Sequence, residues 1–174
     1  MMEFRLSGSG GQGLILAGII LAEAAIGDGK EAVQSQSYGP EARGGSSKSE
    51  VIISDKTIYY PKVEKPDFLL AMTQEALAKY SVDLNQDSIL VVDSTFVKEV
   101  PAQFKKVYSI PITQMAKEEL GRDLFANIIA LGIVAKLTKA VSLKALEQAV
   151  LARVPKGTEK MNKQALELGI ASIK

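Results

Sequence analysis

The stretch GSGGQG, residues 8–13, follows the strand-sized segment FRLS (Phe4–Ser7) and leads straight into LILAGIILAEAAI, a helix-sized run that is almost wholly apolar. Strand, glycine turn and buried helix in that order form the opening unit of an open α/β sheet. Gly8, Gly10 and Gly13 satisfy G-x-G-x-x-G, and Gly11 adds room. Glycine lets the backbone turn tightly and approach a phosphate with no side chain in the way, while free N–H groups at the helix start attract the anion. The competing reading is a tight strand-to-helix turn whose glycines only permit close packing. Placement between strand and helix favours anion contact.

A dinucleotide makes a further demand, an acidic residue at the end of the second strand to hold a ribose hydroxyl. The second strand candidate, EAVQSQSY (31–38), fails it: its end reads Gln34, Ser35, Gln36, Ser37, with Glu31 at the beginning and Glu41 beyond. No arginine stands at the strand end for a 2'-phosphate, although Arg43 follows nearby. A free-standing Rossmann-like NAD-binding protein is thus an alternative supported by the glycine fingerprint alone. A Walker loop is excluded because Gly13 is followed by Leu14 rather than by Lys and Ser/Thr. GDGK (27–30) resembles the start of a thiamine-diphosphate motif, but Asn85, Asn127 and Asn162 are isolated and supply no downstream pair. Asp28 and its glycines are read as a left-handed close to the first helix.

The rest of the chain alternates in the same way. KSEVIISD (48–55) reads as a third strand, with DK turning into TIYYP as a hairpin. DFLLAM and SILVVD are continuous apolar runs suited to strands covered on both faces, Thr73 can cap QEALAKY, and KVYSIPI gives one more strand. From Thr113 onward helix formers dominate. Leu143, Leu146, Val150 and Val154 recur at spacings of three and four behind a capping Ser142. The fold expected is α/β, a Rossmann-like open, mostly parallel sheet with helices on both faces and a helical C-terminal third, in one domain over residues 1–174.

Composition narrows the chemistry. The chain has no cysteine, histidine or tryptophan, which removes disulfides, thiolate metal sites, iron–sulfur ligation and histidine acid/base schemes. With 21 basic against 20 acidic side chains and no run of like charge, neither nucleic acid nor an anionic membrane is an expected partner. The apolar run Leu14–Ile26 is broken by Gly18 and Glu23, is too short to span a bilayer and has no basic leader before it, so a cytoplasmic location is expected. Ser7, Ser9 and Ser35 lack an activating base and read as loop donors or caps. Asp93 and Ser94 stand like switch-point residues of an open sheet, with capping the favoured use.

The most distinctive stretch is SQSYGPEARGGSSKSEV. Tyr38 offers a flat ring, Pro40 stiffens the turn, Arg43 supplies a permanent cation, and Gly44 and Gly45 expose backbone N–H groups. Two readings stand level: a grip on a phosphate, carboxylate or partner chain, and an ordered connection in which Arg43 pairs with Glu41 or Glu50.

GSGGQG followed by QSYGPEARGG and then SEVIIS resembles the gamma subunit of the 2-oxoacid:ferredoxin oxidoreductases, within the pyruvate/ketoisovalerate oxidoreductase family, and the 2-oxoglutarate enzymes more than the pyruvate ones. The resemblance implies a subunit of a complex that decarboxylates a 2-oxoacid oxidatively, joins the acyl group to coenzyme A and passes electrons to ferredoxin. It implies alpha and beta partners and a ferredoxin-like delta subunit. Thiamine diphosphate, magnesium and iron–sulfur clusters then belong to those partners. For this chain it implies completion of the complex and help in binding coenzyme A, with Gly8, Ser9, Gly10, Gly11, Gln12, Gly13, Tyr38, Arg43, Gly44 and Gly45 as the contact residues. No catalytic or metal-ligating residue is assigned. Separated from its partners, such a chain leaves apolar surface uncovered and is expected to self-associate.

Overall fold

Strand β1 (Met2–Ser9) occupies the interior of a six-stranded sheet of order β2-β3-β1-β4-β5-β6 in the computed structural model, which describes residues 1–38 and 45–174, with Tyr38 as backbone only. The other strands are β2 (Glu31–Tyr38), β3 (Ser46–Ser54), β4 (Phe68–Ala71), β5 (Ile89–Asp93) and β6 (Lys106–Ile110). The helices are α1 (Leu14–Gly27), α2 (Gln74–Tyr80), α3 (Ile112–Leu120), α4 (Ala126–Thr138), α5 (Leu143–Arg153) and α6 (Glu159–Ala171). β1–β4, β4–β5 and β5–β6 pair in parallel, whereas β3 runs antiparallel to both β1 and β2. The sheet is therefore mixed, with parallel pairings in the majority.

The side-chain period of two explains the layers. Phe4 and Leu6 of β1, Phe68 and Leu70 of β4, and Val91 of β5 enter one core with α1, α4, α5 and α6. Leu69, Ala71, Leu90 and Val92 point the other way and meet Ala76, Leu77 and Tyr80 of α2 with Val97 and Phe104. Helices thus lie on both faces, most of them on the first. α1 is apolar all round because it packs between β1–β3 and the pair α4 and α5. Glu23, its one acid, leaves the core and pairs with Arg153 at the surface.

Two sequence expectations are corrected. Residues 57–61 form no strand, and Tyr59 and Tyr60 are 91% and 56% exposed. The reason is topological: β3 already pairs on both sides, so a segment folding back from it finds no free edge. Leu143 is 48% exposed, and α5 buries Ala145, Leu146, Ala149 and Val150 instead. Leu143 is the first helical residue, where the face turned to the core has not yet begun.

GDGK is a corner, not a cofactor loop. Gly29 takes φ +76°, and the Asp28 carboxylate reaches across to α5, accepting from Ser142 Oγ and Ser142 N, each at 2.6 Å. Those two bonds hold the Asp28 carboxyl below its usual range. Ser142 Oγ in turn accepts from Ala145 N at 3.1 Å as the N-cap. Ser142→Ala is expected to cost about 1 kcal/mol in urea unfolding, the usual worth of such a cap, with Ser142→Thr retaining most of it.

Candidate functional site

The glycine turn sits where the sheet reverses direction. From β1 the chain builds β2 and β3 on one side and then crosses to β4 on the other, so a crevice opens beyond the carboxyl end of β1. The glycines of the turn serve different ends. A Cβ on Gly8 would lie 2.2 Å from Gln12 Oε1 and 2.7 Å from Leu14 Cδ1, so Gly8 is there for packing. Gly11 and Gly13 take φ +88° and +74°, a region costly for any other residue. A Cβ on Gly13 would also strike Asn127 Nδ2 at 2.6 Å. Packing thus requires glycine at Gly8 and Gly13, while Gly11, with open space about an added Cβ, owes its place to its backbone angle alone.

The amide donors of the turn decide what it can still hold. Ser9 N donates to Gln12 Oε1 at 2.8 Å, and Gly10 N donates to Gly45 O at 3.1 Å. Gln12 N makes a long bond of 3.4 Å back to Ser9 O. The N–H groups of Gly11, Gly13, Leu14 and Ile15 have no partner among the described residues. Gln12 Oε1 is committed to Ser9, which leaves only its Nε2 to donate elsewhere.

Gly11, Gln12 and Gly13 line a cleft of about 210 Å³. Its far side carries Phe96 from the turn after β5, Thr113 from the first turn of α3, and Asp123, Leu124 and Ala126 leading into α4. The starts of α1 and α4 thus border one space, and their partial positive charges favour an anion there, whereas the start of α3 beside them is already capped by the Asp93 carboxylate. The Asp123 carboxylate on the lining opposes it, so an anion is best placed toward the glycine side. Phe96 and Leu124 are 44% and 49% exposed and give the cleft an apolar wall.

Asp93 supports this wall and does not enter it. Fully buried, it accepts from Thr113 Oγ1 at 2.5 Å, Thr113 N at 3.1 Å and Thr95 N at 3.0 Å, fastening β5 to α3 as a cap. Ser7 is likewise internal, donating from Oγ to Leu70 O at 2.8 Å. Asn127, missed from the sequence, donates Nδ2 to Gly13 O at 3.2 Å and packs beneath the turn. Its signal was a lone amide at the head of the otherwise apolar helix ANIIALGIVA.

Of the second segment, Gly45 is brought against the turn through the Gly10–Gly45 bond. Tyr38 is placed by its backbone as the last residue of β2, opposite Ser47. Arg43 and Gly44 lie outside the described residues. Glu50, one proposed partner of Arg43, accepts from Arg5 and Lys48.

Comparison with known proteins follows the same lines. Residues 3–172 match the family described as pyruvate ferredoxin/flavodoxin oxidoreductase. The chain is 51% identical over 170 residues to the 2-oxoglutarate synthase subunit KorC of Methanocaldococcus jannaschii, covering 96% of this chain and 91% of that protein. Among solved structures, the gamma subunit of a keto/oxoacid ferredoxin oxidoreductase from Geobacter sulfurreducens is 52% identical with a TM-score of 0.88, covering 99% of this chain and 98% of that one. The 2-oxoglutarate:ferredoxin oxidoreductase of Magnetococcus marinus, solved with 2-oxoglutarate, coenzyme A and succinyl-CoA bound, shares the fold at 24% identity and a TM-score of 0.87, over 98% of this chain and 30% of that one. With the match running through both glycine segments and the helical tail, the chain belongs to the pyruvate ferredoxin/flavodoxin oxidoreductase family.

Proposed function

We propose that this chain is the gamma subunit of a multisubunit 2-oxoglutarate:ferredoxin oxidoreductase. The observation that carries the reading is the near full-length identity to a 2-oxoglutarate synthase subunit, matched in fold by a gamma subunit. The complex decarboxylates the 2-oxoacid oxidatively to its acyl-CoA and passes the electrons to ferredoxin. Thiamine diphosphate, magnesium and iron–sulfur clusters are held by alpha and beta partners, in keeping with a chain that has no cysteine to ligate a cluster. The soluble, cytoplasmic setting of such a complex agrees with a structure in which no helix among the described residues is long and apolar enough to cross a membrane.

Within the complex this chain helps bind coenzyme A. The N–H groups of Gly11, Gly13, Leu14 and Ile15, without a partner among the described residues, suit a phosphate of that ligand, and Arg43, with Tyr38, Gly44 and Gly45 near it in the sequence, supplies a second handle. Binding energy gathered at the phosphates positions the distant thiol.

The test is reconstitution. The purified chain alone should show no 2-oxoglutarate-dependent ferredoxin reduction, and adding its partners should restore it; turnover by this chain unaided overturns the subunit reading. Leu124→Glu places a carboxylate at the exposed wall of the cleft and is expected to raise the KM for coenzyme A about fivefold to tenfold, the worth of roughly 1 kcal/mol of charge repulsion at a partly wet site. Leu124→Lys should leave KM unchanged or lower it. Equal KM values for both variants would remove the anion from this cleft.

A further inference from the structure

The glycine turn is braced from the face of the sheet opposite α1, and we infer that Tyr80 and Glu75 of α2 are positioning residues for coenzyme A binding, acting through Ser46 and Gly45. This rests on the reading of the cleft given above. The Tyr80 hydroxyl, on a residue only 8% exposed, donates to Ser46 O at 3.2 Å. Ser46, 2% exposed, donates from Oγ to Glu75 Oε1 at 2.8 Å. Its neighbour Gly45 accepts the Gly10 amide at 3.1 Å, and Ser46 stands opposite Ser9 in the β1–β3 register. Two bonds from one helix therefore fix the residue that enters β3, and the residue before it fixes the turn.

The helix is itself anchored. Thr73 Oγ1 caps α2 by accepting from Ala76 N at 3.1 Å, and Arg5 donates to Tyr80 O at 3.0 Å. Gln74 clamps the segment beyond β5, accepting from Lys98 N and Glu99 N and donating to Glu99 O. Packing alone does not call for a hydroxyl at position 80, since the ring of Tyr80 already fills its place beside Leu77 and Phe104.

The consequence is functional because the turn is glycine-rich. Such backbone loses more conformational freedom on ordering than any other, and a ligand that must order it binds more weakly. The Gly10 N–H is spent on Gly45, outside the cleft lining, and thereby sets the course of Gly11 to Gly13, which form that lining. Loosening the brace removes binding common to ground and transition states, so KM rises while kcat holds.

In the reconstituted complex, with coenzyme A as the varied substrate, Tyr80→Phe and Glu75→Ala are each expected to raise KM about threefold to tenfold, the range for one lost hydrogen bond, with kcat within about twofold. Glu75→Gln keeps a carbonyl acceptor for the Ser46 hydroxyl and should restore the KM. Hydrogen exchange at the Gly10 amide should quicken in Tyr80→Phe, a change visible in the chain without any ligand. Unchanged Gly10 exchange, or an unchanged KM in Tyr80→Phe where Leu124→Glu raises it, overturns this inference alone. If Leu124→Glu also leaves KM unmoved, the cleft reading fails and the inference falls with it.

Discussion

Gly169→Ala is expected to lower the melting temperature of the chain by about 10 °C, a loss of about 3 kcal/mol at a domain of this size. Helices α4 and α6 cross with Gly132 and Gly169 in contact. A Cβ on Gly169 would lie 2.0 Å from Ile129 O and 3.1 Å from Gly132 Cα, and one on Gly132 would lie 2.3 Å from Leu166 O. The obstacles are backbone atoms, which no rotamer change relieves. The helices must separate, and buried Ile129, Ala165 and Leu166 lose part of their contact. Alanine's better helix propensity returns only about 1 kcal/mol, too little to change the sign. Gly27→Ala provides the contrast: its Cβ would meet Ala145 Cβ at an ordinary 3.7 Å, so thermal unfolding should show a neutral or slightly raised midpoint. A neutral Gly169→Ala would mean that the two helices do not approach so closely.

The crossing was invisible in the sequence, where Gly132 and Gly169 look like weak points in two helical runs, because a glycine's use depends on what approaches it from 37 residues further along the chain. The strand–turn–helix at 4–26 was legible for the opposite reason. Its elements are contiguous, and the turn declares itself through residues that tolerate φ > 0. Thr73 and Ser142 were legible as caps on the same local grounds. TIYYP misled because β propensity measures fit to a pleated surface and says nothing of whether an edge is available. The candidate site divides in the same way. Gly11 and Gly13 stand in the glycine turn that the sequence itself marks, while the opposite wall of the cleft, Phe96, Thr113 and Leu124, and the support from Asn127 come from segments that only the crossover connections bring near. One wall of the cleft is local sequence and the other is topology.

The clearest case of topology is Arg5, a cation in the middle of an interior strand. Arg5→Met is expected to cost about 3 kcal/mol in urea unfolding at neutral pH, the low end for breaking a buried ion pair. Arg5 is 3% exposed. Its guanidinium donates Nε to Glu50 Oε1 at 2.8 Å, grips Asp83 through Nη1 at 2.5 Å and Nη2 at 3.0 Å, and reaches Tyr80 O. The low end applies because Lys48 still neutralises Glu50 at 3.0 Å and because the Asp83 side chain is 40% exposed, so water screens what the lost arginine leaves behind. Acid distinguishes this loss from simple underpacking. Burial pushes the Asp83 carboxyl up, but the hydrogen bonds and charge of Arg5 outweigh it and hold the group below its ordinary value, about 3.9. A carboxyl depressed on folding contributes stability that is complete above its unfolded pKa and is lost as pH falls through the folded one. Wild type should therefore shed this contribution below about pH 4, whereas Arg5→Met lacks the arginine's share of it, and the gap between the two proteins should narrow on acidification. Glu23 and Asp28, also depressed by their partners, titrate identically in both and cancel from the difference. A gap that stays constant from pH 7 to pH 3 would assign the cost to lost packing of the arginine stem instead of to its charge.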